Sequence, residues 1–314
     1  MNLINIIRKS NKAGSKRFYR FKYKLFKCYQ WIVKRDLRWL LVFTVARFPI
    51  GRNIATWLHR QLSSKRNNIQ NTASVFNDLD IDLAVASIKK NGYYLGLQLP
   101  QNYLQEILEF AYSEEISVDN KPKLNFRFAD KQQAEIDLKQ NIIIGSYLNA
   151  PSKCLALKKL GNDGKLKEIA SRYLENEAIL VRSHLGWCFP GKKEAYAEKG
   201  DLGNPLLLFH YDLDDYRALK FFFYLTDVDA LSGSHLCIAG SHQQRKLQHY
   251  LSRSQSSKDI MKFYGSKRLI RISGRSGFGF AEDPFCFHRG TPPVTSPRLM
   301  IQLEFALHDY GKWE

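Results

Sequence analysis

Residues 209–229 read FHYDLDDYRALKFFFYLTDVD, one histidine and five aspartates threaded through a run otherwise rich in Phe, Tyr and Leu. The stretch Leu219 to Thr226 has the composition of a buried strand. The acids on either side of it (Asp214, Asp215, Asp227 and Asp229) read as turn formers, whose side chains bond nearby backbone amides. Outward from this segment the same texture recurs, in short β-like runs parted by turn residues. They are Ala178 to Ser183, Leu206 to Tyr211, Leu236 to Ala239, Leu269 to Ile272, Gly277 to Ala281, Phe285 to Phe287 and Leu299 to Leu307. So many short strands within about 130 residues predict a two-sheet sandwich or jelly roll rather than a βαβ sheet. Upstream the chain is mixed. Helices are expected from near Asp80 or Asp82 to Asn91-Gly92, over Asn102 to Ser113 and over Lys165 to Asn176, with a strand over Asn141 to Tyr147.

The formal charge of +18 over 314 residues is unevenly placed. Residues 1–66 hold 17 Lys or Arg and a single acid, Asp36, and the remainder is nearly balanced. The basicity belongs to an N-terminal arm, 1–66, and not to the main body, 67–314. Nucleic acid is therefore a poor fit as partner, since the body adds no basic patch. From Phe18 to Leu62 the arm interleaves aromatics with Lys and Arg, and two helices are expected there, broken at Pro49-Ile50-Gly51. In the second, Ile54, Trp57, Leu58, Gln61 and Leu62 form one stripe opposite Asn53, Thr56, Arg60 and Ser63. Two readings stay open for this arm: a basic helix pair packed on the domain, or a contact with an anionic membrane surface through residues 18–62. The polar run Ser63 to Thr72 reads as a linker.

Five cysteines (Cys28, Cys154, Cys188, Cys237, Cys286) are scattered singly, which argues against a disulfide framework or a zinc ribbon. The early residues carry recurring charges without an apolar signal core, and the longest apolar run, Trp39 to Ala46, is far shorter than the ~20 residues of a membrane span. A cytoplasmic protein, or one peripheral to a membrane, is expected.

His210 and Asp212 close one strand. With one residue between them they leave the same face of an extended chain, and an imidazole with a carboxylate suits a borderline divalent metal. A third ligand must come from elsewhere, and His288, on the short strand FCFH, is the best candidate. Ten residues on, Arg298 opens RLMIQLEFA, where Arg298, Met300, Gln302 and Glu304 share one face and Leu299, Ile301, Leu303 and Phe305 the other. An inward arginine is a ready fork for a carboxylate. Two His and one Asp on one face of a metal form the facial triad of non-haem Fe(II) oxygenases.

This order resembles the Fe(II)- and 2-oxoglutarate-dependent dioxygenases and, more narrowly, the phytanoyl-CoA dioxygenase family. The segments that carry the likeness are IKKNGYYLGLQLPQNYLQEIL (88–108), FHYD (209–212), DVDALSGSHLCIAGSHQ (227–243) and EDPFCFHRGTPPVTSPRL (282–299). The resemblance implies a double-stranded β-helix (cupin-like) core with flanking helices, mainly β in an α+β chain. It implies Fe(II) on His210, Asp212 and His288, the distal carboxylate of 2-oxoglutarate on Arg298, and O2 as co-reactant. Because Asp212 stands where halogenating relatives have a small residue, it implies hydroxylation of a C–H bond in a small-molecule or lipid-like substrate.

Other polar residues read more plainly. His235 and His242 sit in Ser-His turns and are expected to pack loops. His184, before Gly186-Trp187, fits either a pocket wall or the core, and Cys286 reads as packing. Lys220 and Tyr224 alternate on the strand after the turn, and the sequence leaves their face undecided. Asp212-Leu213-Asp214 is also a D-x-D of the glycosyltransferase kind, but that reading needs an early βαβ nucleotide site. A non-catalytic jelly-roll binding protein is the remaining alternative.

Overall fold

The computed structural model describes residues 37–62, 73–118, 124–191 and 208–311. The arm before Leu37, the linker Ser63 to Thr72 and the first part of the run Leu206 to Tyr211 lie outside them. Thirteen strands are described. They are β1 (Tyr93–Gln98), β2 (Ile116–Val118), β3 (Asn125–Phe126), β4 (Ile144–Ser146), β5 (Ile179–Cys188), β6 (Phe209–His210), β7 (Ala218–Tyr224), β8 (His235–Ile238), β9 (Ser254–Gln255), β10 (Leu269–Ile272), β11 (Phe278–Glu282), β12 (His288–Gly290) and β13 (Arg298–Ala306). They form an eight-stranded sheet, β1-β11-β7-β13-β5-β4-β2-β3, and a five-stranded sheet, β10-β8-β12-β6-β9. Every described pairing between these strands is antiparallel. From β5 to β8, and again from β10 to β13, successive strands alternate between the sheets, with β9 added at the edge of the small one, which is the jelly-roll winding.

Side-chain alternation divides the molecule into layers. On β13, Leu299, Ile301, Leu303 and Phe305 point to the outer face of the large sheet. There they join Ala84 and Ile88 of helix Ile81–Asn91 and Leu166, Ile169 and Ala170 of helix Gly164–Leu174. Between the sheets lies a smaller aromatic cluster of Phe222, Tyr224, Phe280 and Ile272 with Cys237 and Cys286. The outer face of the small sheet (Phe209, Leu236, Ile238 and the adjoining Tyr211, Phe285 and Phe287) is covered by Ile260 and Tyr264 of helix Ser257–Tyr264 and by Val42 and Ala46.

The helix at Ile81–Asn91 is bounded by the devices its sequence offers. Asp80 accepts a hydrogen bond from the Leu83 amide, 2.9 Å, and Gly92 ends the helix at φ +85°, a left-handed conformation in which glycine carries no Cβ penalty. A Cβ there would also strike the Cys286 sulfur.

Two local expectations change. The arm's helices are Leu37–Val45 and Pro49–Leu62, so the break precedes Pro49. Proline sits at the first helical position, where its missing N–H costs nothing and its fixed φ suits the helix. The run Phe285 to Phe287 is a turn, not a strand, and His288 begins β12 rather than ending it. Asp283 makes the difference, because its carboxylate accepts from the Phe285 amide (2.8 Å) and its carbonyl from the Cys286 amide (2.8 Å).

Candidate metal and cosubstrate site

The small sheet brings the two histidines together. Strands β6 and β12 pair so that His210 lies directly across from His288. Past the end of β6 the Asp212 amide donates to the Pro284 carbonyl, 2.8 Å, which holds the Asp212 carboxylate on the same side as His210. Nε2 of His210 lies 3.8 Å from Asp212 Oδ1, and Nε2 of His288 lies 3.6 Å from Asp212 Oδ2. One donor atom from each residue falls within 4.8 Å of the others.

Both imidazoles are oriented from behind. Nδ1 of His288 is 2.9 Å from the Cys286 carbonyl and Nδ1 of His210 is 3.2 Å from the Leu208 carbonyl. A backbone carbonyl requires Nδ1 to carry a hydrogen and to donate, which turns Nε2 of each ring towards the gap. That is how metal-ligating histidines are commonly fixed. Two imidazole nitrogens and a carboxylate oxygen fit a borderline divalent metal.

The electrostatics separate the two rings. Burial, reinforced by His288, lowers the His210 pKa to about 4. At His288 burial acts in the same direction, but the neighbouring Glu282 and Asp212 carboxylates outweigh it and raise the pKa to about 9. Burial would push Asp212 up, yet Lys220 and the two histidines hold it well below the usual carboxylate range.

The large sheet supplies the opposite wall, and here the structure decides what the sequence left open. Lys220 and Tyr224 face inward. In register across β11, β7, β13 and β5 runs a row of four charged residues, Glu282, Lys220, Glu304 and Arg182. The Lys220 ammonium meets three carboxylates: Asp212 at 2.6 Å, Asp214 at 2.9 Å and Glu304 at 3.4 Å. Burial would lower its pKa, but Asp212 and Glu304 raise it, so the amine stays charged. Both acids of the D-x-D thus converge on one lysine, and the antiparallel architecture offers no βαβ nucleotide site among the described residues. The sequence signal for this row was present, since each of the four is a charged residue on an otherwise largely apolar strand.

Arg298 begins β13 on the inward face and is 6% exposed. One terminal nitrogen of its guanidinium donates to the Gly233 carbonyl, while Nε has no hydrogen-bond partner. A buried guanidinium donor left unmade is costly, and a carboxylate would satisfy it. Tyr224 is already engaged. Its hydroxyl donates to the Ile272 carbonyl at 2.9 Å and accepts from the His235 amide at 3.1 Å.

The remaining polar residues divide as follows. His235 stands 2.8 Å from Glu282 and stacks on His288 at 5.5 Å between ring centroids, outside the group of three. His242 contacts Cys286 at 3.4 Å. His184, inward on β5, shares a hydrogen bond with Ser146 at 3.0 Å, and burial followed by the nearby Arg182 depresses its pKa to about 3. Asp215 accepts from the Tyr216, Leu307 and His308 amides and the Tyr310 hydroxyl. Asp227 accepts from the Ser276 amide, and Asp229 from those of Leu231 and Ser232. These three are turn and loop anchors.

No protein-family profile and no curated protein matches the chain. Among solved structures it is similar to the non-heme alpha ketoglutarate dependent epimerase SnoN from nogalamycin biosynthesis. That match has 13% identity over 72% of this chain and 82% of that one, with a TM-score of 0.50. It is also similar to HygX from Streptomyces hygroscopicus, in a structure with nickel, 2-oxoglutarate and hygromycin B bound. There the identity is 12%, the coverage 71% of this chain and 86% of that one, and the TM-score 0.50. At such identity the likeness is one of fold, and it agrees with the jelly roll built by β5 to β13.

Proposed function

We propose that the chain is an Fe(II)- and 2-oxoglutarate-dependent oxygenase. Iron would be held by His210, Asp212 and His288, and Arg298 would receive the distal carboxylate of 2-oxoglutarate. The observation that carries this reading is the convergence of two Nε2 atoms, each fixed by a carbonyl behind Nδ1, on one carboxylate. Structural elements and a ligand set of this kind, on the same fold as proteins whose structures hold a metal and 2-oxoglutarate, favour it over a glycosyltransferase or a passive binding module.

When bound, the metal and cosubstrate would supply O2 activation coupled to oxidative decarboxylation of 2-oxoglutarate to succinate. The chain's own residues do the positioning. Lys220 fixes Asp212 Oδ2 and leaves Oδ1 facing His210. Arg298 offers an unmade donor in a buried setting, where a carboxylate pair is stronger than in water. Phe222 and Phe280 stack at 4.9 Å between ring centroids and give that wall an apolar lining.

The narrower placement among phytanoyl-CoA dioxygenase-like enzymes, and hydroxylation of a small-molecule or lipid-like substrate, belong to the same proposal and rest on the four sequence segments above. An aerobic incubation with Fe(II), 2-oxoglutarate and candidate substrates tests it. Substrate-stimulated succinate release with a product one oxygen atom heavier is expected. Succinate with a product of unchanged mass would overturn hydroxylation, and succinate that no substrate stimulates above the level of His288→Ala would overturn the oxygenase.

A further inference from the structure

The helix Pro49–Leu62 packs against the domain with its polar side. Thr56 is 2% exposed, and the Arg52 guanidinium lies over the Phe285 ring at 4.2 Å. The His59 ring meets His308 at 4.6 Å between centroids, and Arg60 pairs with Glu175. The other side carries Ile50, Ile54, Trp57 and Leu58, spaced as one helical stripe and open to solvent, Ile50 by 74% and Trp57 by 56%. The preceding helix, Leu37–Val45, buries Val42 and leaves Leu41 and Val45 exposed, and Phe48 in the connecting turn is also exposed. An amphipathic surface helix ordinarily turns its apolar stripe to the core. Here the stripe is reversed, and exposed apolar surface of this extent marks a contact site.

Charge identifies the occupant. Residues 1–36, which lead into these helices, hold 11 Lys or Arg and one acid, interleaved with Phe, Tyr and Trp. A second copy of the chain would bring an equally basic segment to the same place and be repelled. An anionic lipid leaflet offers what the surface lacks, an apolar interior for the stripe beneath a layer of negative charge. We propose that the outward face of helices Leu37–Val45 and Pro49–Leu62 docks on an anionic lipid bilayer, with residues 1–36 adding electrostatic attraction. Among the described residues no helix is long and apolar enough to cross a membrane, so the contact is interfacial. It sets the jelly roll against the bilayer by the outer face of its small sheet, and it stands independently of the chemistry proposed for the site.

The test is vesicle flotation of the full-length protein, using phosphatidylcholine alone or mixed with phosphatidylglycerol, at low and high salt. Binding to the mixed vesicles that weakens with salt is expected. The variant Ile54→Ser/Trp57→Ser, altered only at exposed positions, should retain its thermal unfolding temperature and lose on the order of tenfold in lipid affinity, as removal of buried interfacial apolar area requires. Equal flotation of variant and wild type, or no flotation of either, overturns the proposal. So does a dimer in sedimentation velocity that the variant abolishes while lipid is ignored. Strong protection of tryptophan fluorescence from acrylamide before lipid is added, lost on Trp57→Ser, would show the stripe covered by the chain itself and also overturn it.

Discussion

The ammonium of Lys220 lies 2.6 Å from Asp212 Oδ2, so the carboxylate proposed to hold iron is gripped from the large sheet while its two imidazole neighbours stand on the small one. Lys220 is 4% exposed and Glu304, its other neighbour on that sheet, is fully buried. Removing one member of a buried ion cluster leaves the others uncompensated, at about 3–5 kcal/mol. Lys220→Met should therefore lower stability to urea by that amount. Adding Glu304→Gln should recover part of the loss, because one of the stranded carboxylates is then gone. Additive losses in the double variant would show that the two do not act as a pair.

Arg298 is expected to hold a carboxylate and not the metal. Arg298→Gln should weaken 2-oxoglutarate binding by about a hundredfold, the scale of losing a buried charge-assisted pair. Iron affinity measured by competition with a chromogenic chelator should stay within about twofold, since 1.4 kcal/mol already corresponds to tenfold.

Asp215 shares the turn with Asp212 and does a different job. Its carboxylate receives the Leu307 and His308 amides, both at 2.8 Å, and the Tyr310 hydroxyl at 3.1 Å, tying the end of β13 to the turn before β7. Asp215→Ala should cost about 3 kcal/mol or more, because several buried donors are left unmade at about 1–3 kcal/mol each. In the folded fraction iron binding should persist. Loss of iron binding with unchanged stability would assign Asp215 to the site instead.

His249, in the helix Leu247–Leu251, is enclosed by Phe263, Tyr264 and Phe287. Burial first, then the adjacent Lys246 and Arg245, depress its pKa to about 4 from 6.5. Between those values the unfolded chain takes up a proton that the folded protein refuses, so stability falls as pH drops from about 6.5 towards 4. His249→Phe removes that uptake. The difference in thermal unfolding temperature between pH 7.5 and pH 5 should be smaller in the variant, and an unchanged difference would refute the assignment.

Much of this was legible in the sequence because it rests on period-two alternation. The inward face of β13 carries Arg298 and Glu304 where the pattern places them, and β10 spans the expected residues. The helix Ile81–Asn91 starts and stops at its Asp and Gly signals. What was not legible depends on partners distant in the chain. The face of Lys220 followed from the register that sets it opposite Glu282 and Glu304. The turn before His288 came from a side chain, Asp283, competing for the amides a strand would have used. The small strands β2, β3 and β9, only two or three residues long, carry too few alternations to read. The stripe on helix Pro49–Leu62 was visible as a pattern, but its direction was not, because Arg52 and His59 find their partners in Phe285 and His308, more than two hundred positions away.

The central claim is that His210, Asp212 and His288 hold Fe(II) and that 2-oxoglutarate binds beside it. Anaerobic titration of the metal-free protein with Fe(II) and then 2-oxoglutarate, followed by visible absorption, tests it most directly. A weak metal-to-ligand charge-transfer band should appear in the wild-type protein and be absent in His210→Ala and His288→Ala. No band in the wild type, or a band that survives both substitutions, would contradict the claim.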